Sequence, residues 1–326
     1  YGGDSENIPF YVHALTVNSY IQSAYKCVKG GSQITKLLIK KLRQYGAEVH
    51  KHSEVSGFIF DEAGVLSSVT TKSGKEYAAK KFISNIEIRS FIKLIGEEKL
   101  RKSFLNRVMS WEPVSSCFSV YLVLIPQSLP NFNYNIYHYS FEEMVWNAFR
   151  YSKDSWPETY MLSSTPSKHY PDYAESLTAI SYMDFDEIKD WEKTVNTVAE
   201  KHDRGLKYEH FKLEKAEKMI SALEKKIPNL RHSIKSIYTS SPLSYRDYIG
   251  SFEGNMYGYM KSSDNPLKTM VSPRTKTDNL FLTGQSVNMH GILGVTIGAF
   301  NTCAEILGKE IVDERLKQMM NTHEKK

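Results

Sequence analysis

The stretch that decides the fold lies near the C-terminus, at residues 279–307: NLFLTGQSVNMHGILGVTIGAFNTCAEIL. Residues 280–283 are predicted as a short buried strand, Gly284 opens a turn, and a helix is expected to begin near Gly291. The glycines at positions 291, 294 and 298 have no side chain, which allows other groups to pack closely against this connection. Such a turn presents free N–H groups and the positive end of a helix dipole. It suits a phosphate or the electron-rich edge of a reduced flavin, and the alternative is a tight turn without a ligand.

A second helix–strand unit lies at residues 28–52, VKGGSQITKLLIKKLRQYGAEVHKH. Ser32 is expected to cap a helix that ends at Gly46, and residues 47–50 are expected to form a strand. The helix carries one apolar stripe, made of Ile34, Leu37, Leu38 and Leu42. Turn-forming residues then separate three further predicted strands, at 55–61, 65–71 and 77–84. Together these elements predict an α/β domain that carries a β insertion.

The chain from residue 86 to about 240 has a different composition. Eight of the twenty residues from Phe132 to Tyr151 are aromatic, and we expect most of them in a core and some along a tunnel. Strands are predicted near 115–125, 134–140, 145–150 and 177–184, as an antiparallel sheet. Two helices should follow, one over 188–198 and one around 219–223. This part is therefore predicted to be α+β.

Composition narrows the class of protein. The 326 residues are 41% hydrophobic and 24% charged, with a net charge of +5 spread along the chain, which argues against a nucleic-acid partner. Cys27, Cys117 and Cys303 are isolated, so a disulfide framework is not expected. The histidines lack ligand spacing with carboxylates, and no metal site is predicted.

Four segments, in the same order, resemble one family. FLTGQSVNMHGILGVTIGAF (281–300) looks like the C-terminal flavin-binding segment of the phytoene desaturase, carotenoid isomerase and retinol saturase group of FAD-dependent oxidoreductases. YKCVKGGSQITKLLIKKLRQYGAEVHKHSEVSGF (25–58) resembles that group's pattern of paired glycines, helix, glycine and strand. KKFISN (80–85) resembles its strand that returns to the cofactor, and SPLSYRDYIGSFEGNMYGY (241–259) its Pro…Tyr…Gly…Tyr-Gly stretch. The TGQ at 283–285 is closest to retinol-saturase-like members.

The resemblance implies a partial, discontinuous, Rossmann-like FAD-binding domain with an inserted α+β substrate domain of mixed sheet and helices. Residues 28–90 and 241–326 would belong to the FAD-binding domain, and residues 1–27 and 91–240 to the substrate domain. The family also carries an N-terminal G-x-G-x-x-G that holds the pyrophosphate, and this motif is not found in the sequence. We therefore expect the chain to be an N-terminally truncated flavoprotein whose upstream part completes the site.

The resemblance also implies positions for the cofactor. Val55 should reach the adenine end, Asn85 should lie near the cofactor, and Gly284 and Gln285 should meet the ribityl–phosphate region. Backbone N–H groups should approach the flavin ring at Leu293, Gly294 and Val295. Two side chains are candidate catalytic residues: His290, which could instead be a hydrogen-bonded structural histidine, and Tyr257, which could simply pack.

The implied activity is hydride exchange between flavin N5 and a C=C or CH–CH unit of an apolar polyene or isoprenoid. Desaturation, saturation and isomerisation stay open, and NAD(P) is a candidate electron donor. Such a substrate favours a cytoplasmic protein with peripheral membrane contact. The alternatives are an amine-oxidising flavoprotein and a non-catalytic fragment that binds a lipid or partner without flavin.

Overall fold

The computed structural model describes residues 5–27 and 30–323. Its α-helices are α1 (Phe10–Gln22), α2 (Ser32–Gln44), α3 (Ile88–Ile95), α4 (Lys102–Met109), α5 (Met144–Asn147), α6 (Leu206–Glu224), α7 (Leu230–Ser233), α8 (Pro242–Ile249), α9 (Gly291–Leu307) and α10 (Lys309–His323). Its strands are β1 (Val55–Phe60), β2 (Leu66–Thr71), β3 (Glu76–Ala78), β4 (Phe82–Ser84), β5 (Ser116–Leu124), β6 (Asn135–Tyr139), β7 (Thr159–Pro166), β8 (Ala174–Met183), β9 (Ile234–Ser240) and β10 (Leu280–Leu282). Among the described residues, no helix is both long and apolar enough to cross a bilayer.

The strands form three sheets. The predicted meander is present as the antiparallel order β1-β2-β3, but the third strand, predicted over 77–84, is divided into β3 and β4. β4 leaves that meander and pairs in parallel with β10, so that Phe82 lies opposite Leu280 and Ser84 opposite Leu282. The third sheet has five antiparallel strands in the order β6-β7-β8-β5-β9. The pairing of β4 with β10 brings the two segments that resemble the cofactor-binding family side by side.

One core lies between the five-stranded sheet and α6. Alternate residues of β5, such as Phe118 and Val120, are fully buried on the face that α6 covers with Met219 and Leu223. The helix predicted around residues 219–223 is thus confirmed. The opposite face of β5 carries Cys117, Ser119 and Tyr121 and is not part of this core.

A second core joins α3 to the meander and to the β4–β10 pair. Phe91, which is fully buried, packs with Leu66 of β2 and Leu280 of β10. Glu87 caps α3, because its carboxylate accepts a hydrogen bond from the Ser90 N–H at 2.9 Å. The residues that resemble the FAD-binding domain therefore share one apolar core. The boundaries of the predicted domains remain a prediction.

The helix predicted over residues 188–198 is wrong. A 3₁₀ turn covers Phe185–Trp191, and the chain is irregular beyond it. Side chains of α8 satisfy the backbone there: Arg246 donates to the carbonyl oxygens of Glu192 and Thr194, and Asp247 accepts the Asn196 N–H at 2.8 Å. Backbone groups that are paired in this way do not require a helix.

Other local predictions also differ from the structure. Residues 144–147 form the short helix α5 rather than a strand, while the strand β7 was not predicted. Residues 47–50 form no strand, since none of the described segments pairs with them. Ser32 begins α2 after Gly31 and makes no capping hydrogen bond. Five of the eight aromatic residues between 132 and 151 are exposed, so that segment is not mainly core.

Candidate functional site

The turn after β10 is built around a close approach between two chain segments. Thr283 N–H donates to the Ser84 carbonyl at 3.0 Å, which extends the β4–β10 pair by one residue. Gly284 then adopts a φ of +101°, and a side chain there would overlap the amide oxygen of Asn85. Only glycine fits this backbone and this contact without strain. The structure thus places Asn85 and Gly284 together.

The N-terminus of α9 follows this turn without a side-chain cap. His290 is the residue before the helix, and it makes no capping hydrogen bond. Gly294 is buried, and a Cβ there would lie 2.7 Å from the Cβ of Met289, so the loop packs closely on the first turn. Leu293 is 56% exposed, and its backbone N–H belongs to the uncapped end of the helix. Val295 follows in the same turn and is half-buried.

A buried hydroxyl beside this turn has no partner. The Oγ1 atom of Thr283 is inaccessible to solvent and makes no hydrogen bond within the described chain. Buried hydroxyls are normally paired, because desolvating one without a partner costs about 1–3 kcal/mol. An orphaned hydroxyl, a glycine cradle and an uncapped helix end fit a ligand with hydrogen-bonding edges, such as a flavin.

Tyr257 and His290, the two predicted catalytic side chains, lie together. Their rings pack with centroids 4.8 Å apart at an angle of 39°. Burial lowers the pKa of His290 to about 4, and the nearby charge of Lys261 adds to the effect. Lys261 donates to the Thr269 carbonyl at 3.2 Å, and burial lowers its own pKa to about 8. His290 is therefore a neutral imidazole at neutral pH, and the charge of Lys261 that acts on it is positive.

A polar cluster lies where α8 meets the five-stranded sheet. The Tyr245 hydroxyl lies 3.2 Å from the Cys117 sulfur and 3.1 Å from the Ser119 hydroxyl. Burial raises the pKa of the Cys117 thiol to about 11, so it stays protonated. Burial also raises the pKa of Tyr257, and the negative charge of an ionised Cys117 would raise it further. The site therefore offers uncharged hydroxyl and thiol groups.

A pair of phenols continues this cluster toward solvent. The hydroxyls of Tyr20 in α1 and Tyr137 in β6 lie 3.5 Å apart. This hydrogen bond raises the pKa of Tyr20 to about 12, with smaller contributions from burial and from the charges of Tyr137 and Tyr257. The sequence did not indicate Tyr20, Tyr245 or Cys117, because they meet only through the sheet.

The remaining predicted positions are less closely gathered. The backbone oxygen of Gln285 faces Gly258, where a Cβ would lie 3.9 Å from it, so the turn after β10 touches the segment that carries Tyr257. Val55 begins β1 opposite Thr71 and is exposed. Within residues 5–27 and 30–323, no group of three His, Cys, Asp or Glu side chains could hold a metal ion.

The chain is similar in sequence to curated proteins. No family model matches the chain. The all-trans-retinol 13,14-reductase of Rattus norvegicus is 25% identical over 340 residues, which cover 96% of this chain and 54% of that protein. The enzyme of the same name from Homo sapiens is 24% identical over 341 residues, with the same coverage. The chain thus spans about half the length of the curated relatives that it matches.

A solved structure supports the fold. Putrescine oxidase bound to putrescine superimposes with a TM-score of 0.50 over 89% of this chain and 53% of that one, at 10% sequence identity. The chain therefore has the α/β, Rossmann-like fold of the FAD-binding oxidoreductases. The sequence similarity to all-trans-retinol 13,14-reductases confirms the resemblance drawn from its four segments.

Proposed function

We propose that this chain supplies the C-terminal part of the FAD site in an oxidoreductase that reduces a C=C bond of an apolar polyene or isoprenoid. The observation that carries the proposal is the turn after β10, where the cradle of Gly284 and Asn85, the orphaned Thr283 hydroxyl and the uncapped α9 converge. The bound flavin would supply hydride exchange at N5. The sequence relationship to all-trans-retinol 13,14-reductases supports both the cofactor and the substrate class.

The chain's own residues would bind and orient the cofactor. Gly284 and Gln285 would contact the ribityl–phosphate region, and Asn85 would pack against the turn at Gly284. The backbone amides of Leu293, Gly294 and Val295 would face the flavin ring at the positive end of α9. Val55 would reach the adenine end through its backbone.

The electrostatics of the site favour a neutral substrate. Tyr257, Tyr245 and Cys117 are uncharged at neutral pH, and His290 is a neutral imidazole. One positive charge that acts on His290 is the ammonium group of Lys261, which would repel a cationic amine. We therefore favour reduction of a polyene over oxidation of an amine.

We further propose that an upstream part of the same protein completes the site. Ile83 in β4 is exposed although parallel strands are normally covered on both faces. Ile292 and Ile297 on α9 and Leu38 on α2 are also exposed apolar residues. A βαβ unit carrying a G-x-G-x-x-G motif would cover these surfaces and bind the pyrophosphate. NAD(P) as electron donor, a cytoplasmic location and peripheral contact with a membrane are parts of the same proposal.

The first experiment measures flavin content by visible absorbance in residues 1–326 and in the product of the complete coding sequence. We expect FAD in the longer protein, and we expect Gly294→Val to lower its FAD content because the side chain would collide with Met289. Gly298→Ala is the matched control, since a Cβ there meets nothing within 4 Å.

A second step tests the substrate class. The flavin of the complete protein is reduced without oxygen and mixed with all-trans-retinol or a carotenoid, and reoxidation of the flavin is followed. If the longer protein does not hold FAD, the proposed cofactor is refuted, and a non-catalytic module that binds a lipid or partner is favoured. Flavin that is reduced by amines and is not reoxidised by polyenes would favour the amine-oxidising alternative.

A further inference from the structure

Tyr257 lies beside the turn that is expected to hold the cofactor. Its ring packs on His290, and the next residue, Gly258, faces the backbone of Gln285. His290 is the residue before α9. A ligand bound against the N-terminus of α9 would therefore lie beside His290 and the Tyr257 ring that packs on it.

The hydroxyl of Tyr257 differs from those of neighbouring buried tyrosines. Tyr245 shares hydrogen bonds with Cys117 and Ser119, and Tyr259 donates to the carboxylate of Glu87 at 2.5 Å. In the described part of the chain, the Tyr257 hydroxyl has no such partner. Its proton is therefore available to a bound ligand.

We propose, on the basis of the proposed function, that Tyr257 is the catalytic residue that protonates the substrate carbon and that His290 is a positioning residue for the Tyr257 ring. The step balances as follows. A hydride leaves the two-electron-reduced flavin for one carbon of the C=C bond, and the former π electrons form a C–H bond with the Tyr257 proton at the other carbon. The phenolate that remains takes a proton from solvent.

The surroundings assign the two side chains different roles. His290 is uncharged at neutral pH, because burial and the charge of Lys261 disfavour the imidazolium. A neutral imidazole is a much weaker acid than a phenol, so its contribution is to hold the aromatic ring. Burial keeps the Tyr257 phenol protonated before each turnover.

The test uses the FAD-loaded complete protein with its flavin reduced, mixed with all-trans-retinol in H₂O and in D₂O. We expect Tyr257→Phe to slow flavin reoxidation by roughly 100-fold or more, the size of a general-acid contribution. Binding of retinol to the oxidised protein, followed by fluorescence quenching, should change by less than about threefold, since the ring remains. Tyr170→Phe is the matched control, because Tyr170 is an exposed tyrosine between β7 and β8.

Two variants of His290 separate positioning from acid catalysis. His290→Ala removes the ring contact and should slow reoxidation by about tenfold or more, whereas His290→Phe keeps an aromatic surface and should recover most of that rate. Equal losses in both variants would overturn the positioning role.

The proton donor has its own decisive outcome. A Tyr257→Phe rate within threefold of wild type, or a solvent isotope effect that is unchanged in this variant, would overturn Tyr257 as the donor. Wild-type protein whose reduced flavin does not react with any polyene would refute the proposed function instead, so the two failures are distinguishable.

Discussion

Gly284→Ala tests the cradle at the end of β10. Alanine at a φ of +101° is strained, which costs about 1–2 kcal/mol. The new methyl group would also overlap the side-chain oxygen of Asn85 and lie 3.3 Å from its Cγ, so the amide must move, at an added cost of about 1–3 kcal/mol. We expect urea unfolding, followed by circular dichroism, to show a loss of about 2–5 kcal/mol in total.

Gly308→Ala provides the control for this prediction. Gly308 has a φ of +98°, yet a Cβ there meets nothing within 4 Å, so this variant reports the backbone strain alone. The difference between the two variants should be the cost of displacing Asn85, and Asn85→Ala in the Gly284→Ala background should recover that difference. Equal losses at both glycines, with no coupling to Asn85, would refute the close approach.

Three further predictions concern buried polar groups. Thr283→Val should leave the unfolding free energy of the cofactor-free chain unchanged or raise it by up to about 1 kcal/mol. The same variant should bind FAD about five- to tenfold more weakly in a titration, because the orphaned hydroxyl is lost. Tighter FAD binding would contradict this prediction. The carboxylate of Glu187 lies 2.5 Å from the Lys215 ammonium, so Lys215→Met leaves it as an unpaired buried charge. Urea unfolding should show that this variant loses about 3–5 kcal/mol of unfolding free energy, and adding Glu187→Gln should partly restore it. The folded pKa of His290, about 4, lies below its unfolded value, so neutral His290 contributes stability that is lost as the pH falls from about 6.5 through 4. His290→Phe should flatten the pH dependence of unfolding over this window by about 3 kcal/mol, and an unchanged slope would show that the imidazole is not desolvated.

Patterns of neighbouring residues correctly predicted the strand and helix on either side of the turn at Gly284. The strand at 280–282 and the helix that begins at Gly291 follow from a short apolar run and spaced glycines. The prediction for the region around Val195 was wrong. Its apolar spacing resembles that of a helix, but Arg246, about fifty residues later in the chain, pairs with its backbone carbonyl oxygens. Side chains that are distant in sequence can thus override a local period.

The candidate site was predictable only in part. The family resemblance indicated Asn85, Gly284, Tyr257 and His290, and the structure brings them together in two adjacent pairs. The contact between Tyr245 and Cys117 has no sequence signal, since it depends on how α8 lies on the sheet. The contact between the rings of Tyr257 and His290 depends on the packing of separate elements and not on any motif.

The pairing of β4 with β10 has a consequence for biosynthesis. These strands lie about 200 residues apart, and at roughly 5–20 residues per second a ribosome needs about 10–40 s to deliver the second strand after the first. During that interval Phe82 and Ile83 leave the exit tunnel with an open strand edge, while the five-stranded sheet, whose strands all fall between the two, can already close. The nascent chain therefore has its five-stranded sheet before the turn that follows β10, and chaperones that recognise apolar strand edges have their longest opportunity to bind it at β4.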